Sequence, residues 1–160
     1  MTDTEYMQIA IAEAKKAAEI GEVPVGAIAV IDGEIAAKSF NLMEREKTAL
    51  AHAEILIIQE LNKIVGAWRL DNVTIYVTKE PCPMCAGAMV NSHVKKLVFG
   101  MPDSRSGACG SSRNNIADNP DMLWQIEVVP GILAEECTAI FKDFFKKIRA
   151  EKQKKREFYE

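Results

Sequence analysis

Histidine is nearly absent. The 160 residues contain two, His52 and His93, so any chemistry that needs an imidazole has only these to draw on. Cysteine is also scarce, at four residues. A chain of this length buries roughly 70% of its unfolded surface and needs no disulfide framework to hold a core, which sets aside the small cross-linked secreted class. No apolar run approaches the ~18 residues of a membrane span, and there is no repeat or low-complexity tract. The acidic, amphipathic stretch 1–22 lacks the basic start, apolar middle and small-residue cleavage site of a secretory signal. The expected setting is therefore the cytoplasm, where thiols stay reduced, and Cys82 and Cys85 are expected to serve a metal or a reaction rather than a crosslink.

What is present reads as one globular domain over 1–160. The net charge of −3 argues against a nucleic-acid partner, but the charge is uneven: 146–156 carries seven Lys/Arg against one Glu. Such a run can meet phosphates, or it can be the solvated end of a helix whose cations suit the C-terminal dipole. Along the chain, helices and strands alternate. Met7, Ile11, Ala14 and Ala18 recur at helical spacing over 4–20. The segment 25–41 predicts two strands joined by Asp32-Gly33, a dipeptide favoured in tight hairpin turns. A helix is expected over 51–65 with Ile55, Ile58, Leu61 and Val65 on its apolar face, and a buried strand over 73–77. A helix over 82–92, short strands at 96–99 and 126–129, and a basic C-terminal helix over about 133–157 complete the set, with Phe141, Phe144, Phe145 and Ile148 on the last helix's buried side. Such an order implies an α/β fold, a three-layer α/β/α sandwich around a mixed sheet of five strands. The segment 100–120, crowded with Gly, Ser, Asn and Asp, is read as a long functional loop.

Pro81 ahead of Cys82 places the "PCPMC" thiols at a helix start, and a spacing of three puts both on one face. Free N–H groups there stabilise negative sulfur. Two adjacent thiolates repel, and a divalent cation relieves that repulsion; zinc suits Cys and His donors and brings no redox chemistry. Taken alone, the pair is equally compatible with a redox couple or two core thiols. His93 lies some 11 residues along the same helix, roughly 16 Å away at 1.5 Å per residue, so His52 is the expected third ligand. Three protein ligands leave a fourth place for water, which zinc would activate. Glu54 is the expected proton shuttle. Residues two apart on a regular helix point about 200° apart, so the chain at His52 must not yet be helical if both side chains are to face one ion. Cys109 and Cys137 read as small core or loop residues, and His93 as a surface or RNA-facing one.

"HAE" and "PCPMC" together match the signature H-x-E…P-C-x-x-C recorded for zinc deaminases that act on nucleobases. Through "GEVPVGAIAV", "AHAEI", "WRL", "TIYVTKEPCPMCAGAMV", "LVFG", "GILAEEC" and "FFKKIRAEKQ", the sequence resembles the bacterial tRNA-specific adenosine deaminases over nearly its whole length. The resemblance implies a cytidine deaminase-like fold, a homodimer, one Zn2+ per subunit held by His52, Cys82 and Cys85 with Glu54 catalytic, and conversion of adenosine to inosine at the wobble position of a tRNA anticodon stem-loop. It further implies that Asn41 and Val25 contact the target nucleotide and its base, that Asp103 lies near that nucleotide, and that Lys146, Lys147 and Arg149 contact the tRNA. Departures from the family pattern gather around the substrate: Thr48-Ala49-Leu50-Ala51 ahead of the His, His93 in place of an Arg, "MLWQIEV" at 122–128, and Lys79 in place of an apolar residue. The alternative they leave open is a deaminase of free guanine, cytosine or a nucleoside.

Overall fold

A computed structural model describes residues 1–160. Helix α1 (Asp3–Glu19) starts with a capping box, in which Glu5 N donates to Thr2 Oγ1 at 3.2 Å and Thr2 N donates to Glu5 Oε2 at 2.7 Å. Strands β1 (Gly26–Ile31) and β2 (Glu34–Phe40) form the expected hairpin. Asp32 and Gly33 both have positive φ, 50° and 79°, the conformation of a tight two-residue hairpin turn, and the Tyr6 hydroxyl on α1 donates to Gly33 O at 2.7 Å. After one turn of helix, α2 (Met43–Glu46), come α3 (Ala53–Val65), β3 (Val73–Lys79), α4 (Pro83–Asn91), β4 (Lys96–Met101), β5 (Glu127–Val129) and the long α5 (Ala134–Tyr159).

The five strands lie in the order β2-β1-β3-β4-β5. β1 is antiparallel to both β2 and β3, whereas β3, β4 and β5 run parallel, so the sheet is mixed. Strand alternation sends side chains to two separate cores. Ala27, Ala29, Ile75, Val77, Leu97 and Phe99 face α3 and α4, while Ile28, Tyr76 and Val98 face α1 and α5. The result is the three-layer α/β/α sandwich, and no helix is long and apolar enough to cross a membrane.

Four details depart from the sequence reading. Helix α2 has no hydrophobic period to announce it; the buried Glu22 carboxylate accepts the N–H groups of Glu44 and Arg45 at 3.2 and 2.9 Å, which satisfies donors at the start of the turn. The buried face of α3 runs through Glu54, Ile57, Ile58 and Leu61, with Ile55 half-buried and Val65 exposed. A face that includes a carboxylate cannot be found by following apolar residues. On α5 the one buried residue is Cys137; Phe141, Phe144, Phe145 and Ile148 are half-buried, and Phe141 and Phe145 line an open groove beside the loop after β4. His93, expected to be a surface or RNA-facing residue, is half-buried between tryptophans, stacked on Trp124 with 4.3 Å between centroids and edge-on to Trp68 at 5.3 Å.

Candidate active site

His52 and Cys82 occupy equivalent places in the fold. Each is the N-cap of a helix, α3 and α4, with an extended backbone: φ −69° and ψ 149° at His52, φ −73° and ψ 172° at Cys82. Pro83 begins α4 immediately after the cap, where its missing N–H costs nothing. The extended conformation at His52 removes the geometric objection raised by its spacing to Glu54. One residue stands outside the helix and the other in its first turn, so the 200° rule for two helical residues does not apply.

The ligand atoms of His52, Cys82 and Cys85 lie within 4.8 Å of one another and could hold a metal ion. His52 Nδ1 is 3.7 Å from Cys82 Sγ and 3.4 Å from Cys85 Sγ. Tetrahedral zinc, with Zn–S near 2.3 Å and Zn–N near 2.0–2.1 Å, requires nitrogen–sulfur separations of about 3.6 Å, so the donor set fits that ion in spacing as well as chemistry.

In the metal-free chain the two thiols shift in opposite directions. A hydrogen bond from Cys85 lowers the Cys82 thiol to about 3, assisted by His52. The same hydrogen bond, together with burial, pushes Cys85 far up. The hydrogen bond to Cys82 also raises His52 above its ordinary value, against the opposing effect of burial. Glu54 is buried, and that burial raises its carboxyl above the usual carboxylate range.

These groups open into a cavity of about 150 Å³. His52, Glu54 and Cys82 line it together with Val25, Asn41 and Lys79, and Cys85 sits fully buried behind them. The Asn41 amide ties together the segments flanking the β1–β2 hairpin: Nδ2 donates to Val23 O ahead of β1 and Oδ1 accepts from Met43 N at the start of α2, both at 3.2 Å. One amide hydrogen and one lone pair remain for a ligand.

Asp103, Lys146 and Arg149 line a second, larger groove between the loop after β4 and α5. Lys147 is exposed on α5 but is not part of that lining. Against the burial that would raise its pKa, the Asp103 carboxyl is held well below the usual range by Lys79 Nζ at 2.8 Å, the Ser106 hydroxyl and the N–H groups of Ser106 and Arg105.

Three residues around the site were given no site role in the sequence reading, which took Phe141 as packing on the last helix and Lys79 as a departure from the family pattern. Phe141 and Lys79 line both hollows. Glu80, 1% exposed, accepts Asp103 N at 2.9 Å through one oxygen, and Cys109 N and Ser111 N at 3.0 and 3.2 Å through the other. The signal for the pair was a Lys-Glu at the end of an otherwise apolar strand, directly ahead of the cysteines.

The model of MafB19-like deaminases matches residues 1–149. A tRNA-specific adenosine deaminase of Bacillus subtilis is 51% identical over 154 residues, covering 96% of this chain and 95% of that protein. One of Haemophilus influenzae is 43% identical over 152 residues, covering 94% and 87%. Among solved structures, a tRNA:A34 deaminase studied for A-to-I editing at the wobble position of transfer RNA superposes with a TM-score of 0.81 at 35% identity, over 86% of this chain and 99% of that one. The guanine deaminase of Nitrosomonas europaea shares the fold, with a TM-score of 0.76 at 19% identity, over 88% and 83%. Near-complete coverage of both chains at such identity leaves one assignment: the chain is a deaminase and belongs to the family of tRNA-specific adenosine deaminases.

Proposed function

We propose that the chain is a zinc-dependent hydrolytic deaminase that converts adenosine to inosine at the wobble position of a tRNA anticodon, releasing ammonia. The reading includes a single deaminase domain, a cytoplasmic homodimer and one Zn2+ per subunit. The observation that carries it is the meeting of the His52, Cys82 and Cys85 donors with the buried Glu54 carboxylate in one cavity. The 51% identity to a relative named for this activity supports it. Leu50, two residues before His52, is 61% exposed, which suits a surface that a second copy would cover.

In this reading His52, Cys82 and Cys85 are the zinc ligands. When bound there, zinc supplies the Lewis acidity that makes water a nucleophile at neutral pH. Glu54 takes one proton from the attacking water and passes it to N1 of the purine, then takes the second from the hydroxyl formed at C6 and passes it to the amine leaving that carbon, so adenosine and water become inosine and ammonia. Its raised pKa suits a group that must accept a proton and return it within one cycle. Val25 and Asn41 form the wall against the base, and Asp103 lies beside the nucleotide. Lys146, Lys147 and Arg149 contact the RNA backbone. An anticodon loop presents an already unpaired base, which avoids much of the cost of extruding one from a helix.

The test is to incubate zinc-loaded protein with an anticodon stem-loop carrying adenosine at the wobble position and, separately, with free adenosine, guanine and cytosine, measuring inosine and ammonia. Inosine is expected in the stem-loop. Turnover of a free base or nucleoside with the stem-loop untouched overturns the reading.

A further inference from the structure

The cavity at Glu54 and the groove along α5 meet at two residues, Lys79 and Phe141. Lys79 is the last residue of β3, and its ammonium stands 5.7 Å from the centroid of the Phe141 ring and 2.8 Å from Asp103 Oδ2. Its side chain is 21% exposed, so a ligand can reach it. Beyond it, the groove presents Arg105, Lys142, Lys146 and Arg149 against the carboxylates of Asp103 and Asp143. A nucleotide whose base fills the cavity and whose neighbours follow the groove must carry its sugar–phosphate past Lys79.

The pairing of Lys79 with Asp103 is one that can be exchanged. Asp103 Oδ1 accepts the N–H groups of Arg105 and Ser106 at 3.0 Å each, and Oδ2 accepts the Ser106 hydroxyl at 2.6 Å. If the ammonium turned away, the carboxylate would keep three donors and would not be left unpaired. Lys79 has no such alternative in the free chain. Its other neighbour is the face of Phe141, which attracts a cation but accepts no conventional hydrogen bond. A phosphate oxygen at the boundary of the two hollows would supply that partner, with a charge-assisted hydrogen bond.

We propose that Lys79 is a specificity-determining residue that leaves Asp103 to bind the phosphodiester adjoining the nucleotide whose base occupies the cavity, and so favours a polynucleotide over a free base or nucleoside. The assignment rests on the reading of the chain as a deaminase of tRNA.

The experiment compares the unaltered protein with Lys79→Met and Lys79→Arg, all zinc-loaded, on the anticodon stem-loop over a series of salt concentrations. Each protein is also given stem-loops in which one phosphate flanking the target adenosine is replaced by a neutral methylphosphonate. Lys79→Met is expected to lower kcat/KM about ten-fold at low salt and to make the log–log salt dependence shallower by about 0.7, one phosphate contact on a single strand. Lys79→Arg is expected to keep that slope. One flanking methylphosphonate should cost the unaltered protein a similar factor and cost Lys79→Met nothing further. An unchanged slope in Lys79→Met, with the methylphosphonate costing both proteins equally, overturns the assignment and leaves the functional reading intact. Should Lys79→Met fail to fold, the unaltered protein and Lys79→Arg decide: a loss at one flanking phosphate supports the assignment, and no loss at either overturns it. A stem-loop that the unaltered protein does not deaminate, while it turns over a free base, overturns both.

Discussion

The Glu80 carboxylate accepts the backbone N–H of Asp103 at 2.9 Å and, through its other oxygen, those of Cys109 and Ser111. One fully buried side chain at the end of β3 thus holds three points of the loop that follows β4. Replacing it leaves the buried Cys109 N–H without an acceptor, at a cost of about 1–3 kcal/mol, and also frees the part-buried N–H groups of Asp103 and Ser111. Glu80→Ala is expected to lower stability by about 3 kcal/mol and to open the loop at 102–111 to protease, measured by chemical denaturation and limited proteolysis. An unchanged unfolding midpoint would contradict this role.

Gly107 lies directly over that carboxylate. A Cβ there would collide with the Glu80 carboxyl group and with Asp103 O, neither of which can withdraw without breaking the bonds just described. Gly107→Ala should therefore cost about 1–3 kcal/mol by overpacking. It should also raise KM for the stem-loop, since Asp103 and Arg105 would shift with the loop. Thermal unfolding and steady-state kinetics together check both effects.

Glu54→Gln separates chemistry from stability. Turnover is expected to fall by at least ~10²-fold, the usual contribution of a general acid–base group, while bound zinc stays at one per chain by elemental analysis. Stability in chelator should move the opposite way. The Glu54 carboxyl is raised by burial, so its favourable contribution to folding is complete below the ordinary carboxylate value near 4.3 and is lost as pH rises through its higher folded value. The metal-free variant should then be more stable than the parent at pH 7, with the gap closing below about pH 4. A variant less stable than the parent at pH 7 would show that the carboxylate holds the fold rather than burdening it.

Cys82 should be the reactive thiol of the metal-free protein. It is half-buried and lowered to about 3 by the Cys85 hydrogen bond, whereas Cys109 is pushed far up by burial and Cys137 up to about 11 by the same cause. After chelation, alkylation at pH 6 is expected at Cys82 and at no other cysteine, with a rate nearly constant from pH 5 to 7. Restoring zinc should protect it. Peptide mass spectrometry reads the modified position, and labelling that begins only above pH 8 would refute the lowered value.

Local patterns in the sequence determined a good part of this molecule. Asp32-Gly33 specifies a turn because both positions take positive φ, and the "PCPMC" and "HAE" segments determine helix starts because proline and the capping positions act within a few residues. Alternating helices and strands, with β-branched runs between them, were enough for the α/β sandwich. What only the tertiary structure decided involves groups far apart in the chain. Strand order brings His52 to the two thiols and carries the loop at 103–111 over Glu80. It also gives Lys79 its carboxylate and places His93 between Trp68 and Trp124. The physical reason is that the burial of a charged or polar side chain depends on the donors and acceptors that distant backbone brings to it. Glu22, Glu54 and Glu80, all polar by composition and all buried in the fold, could not be read from hydrophobic period.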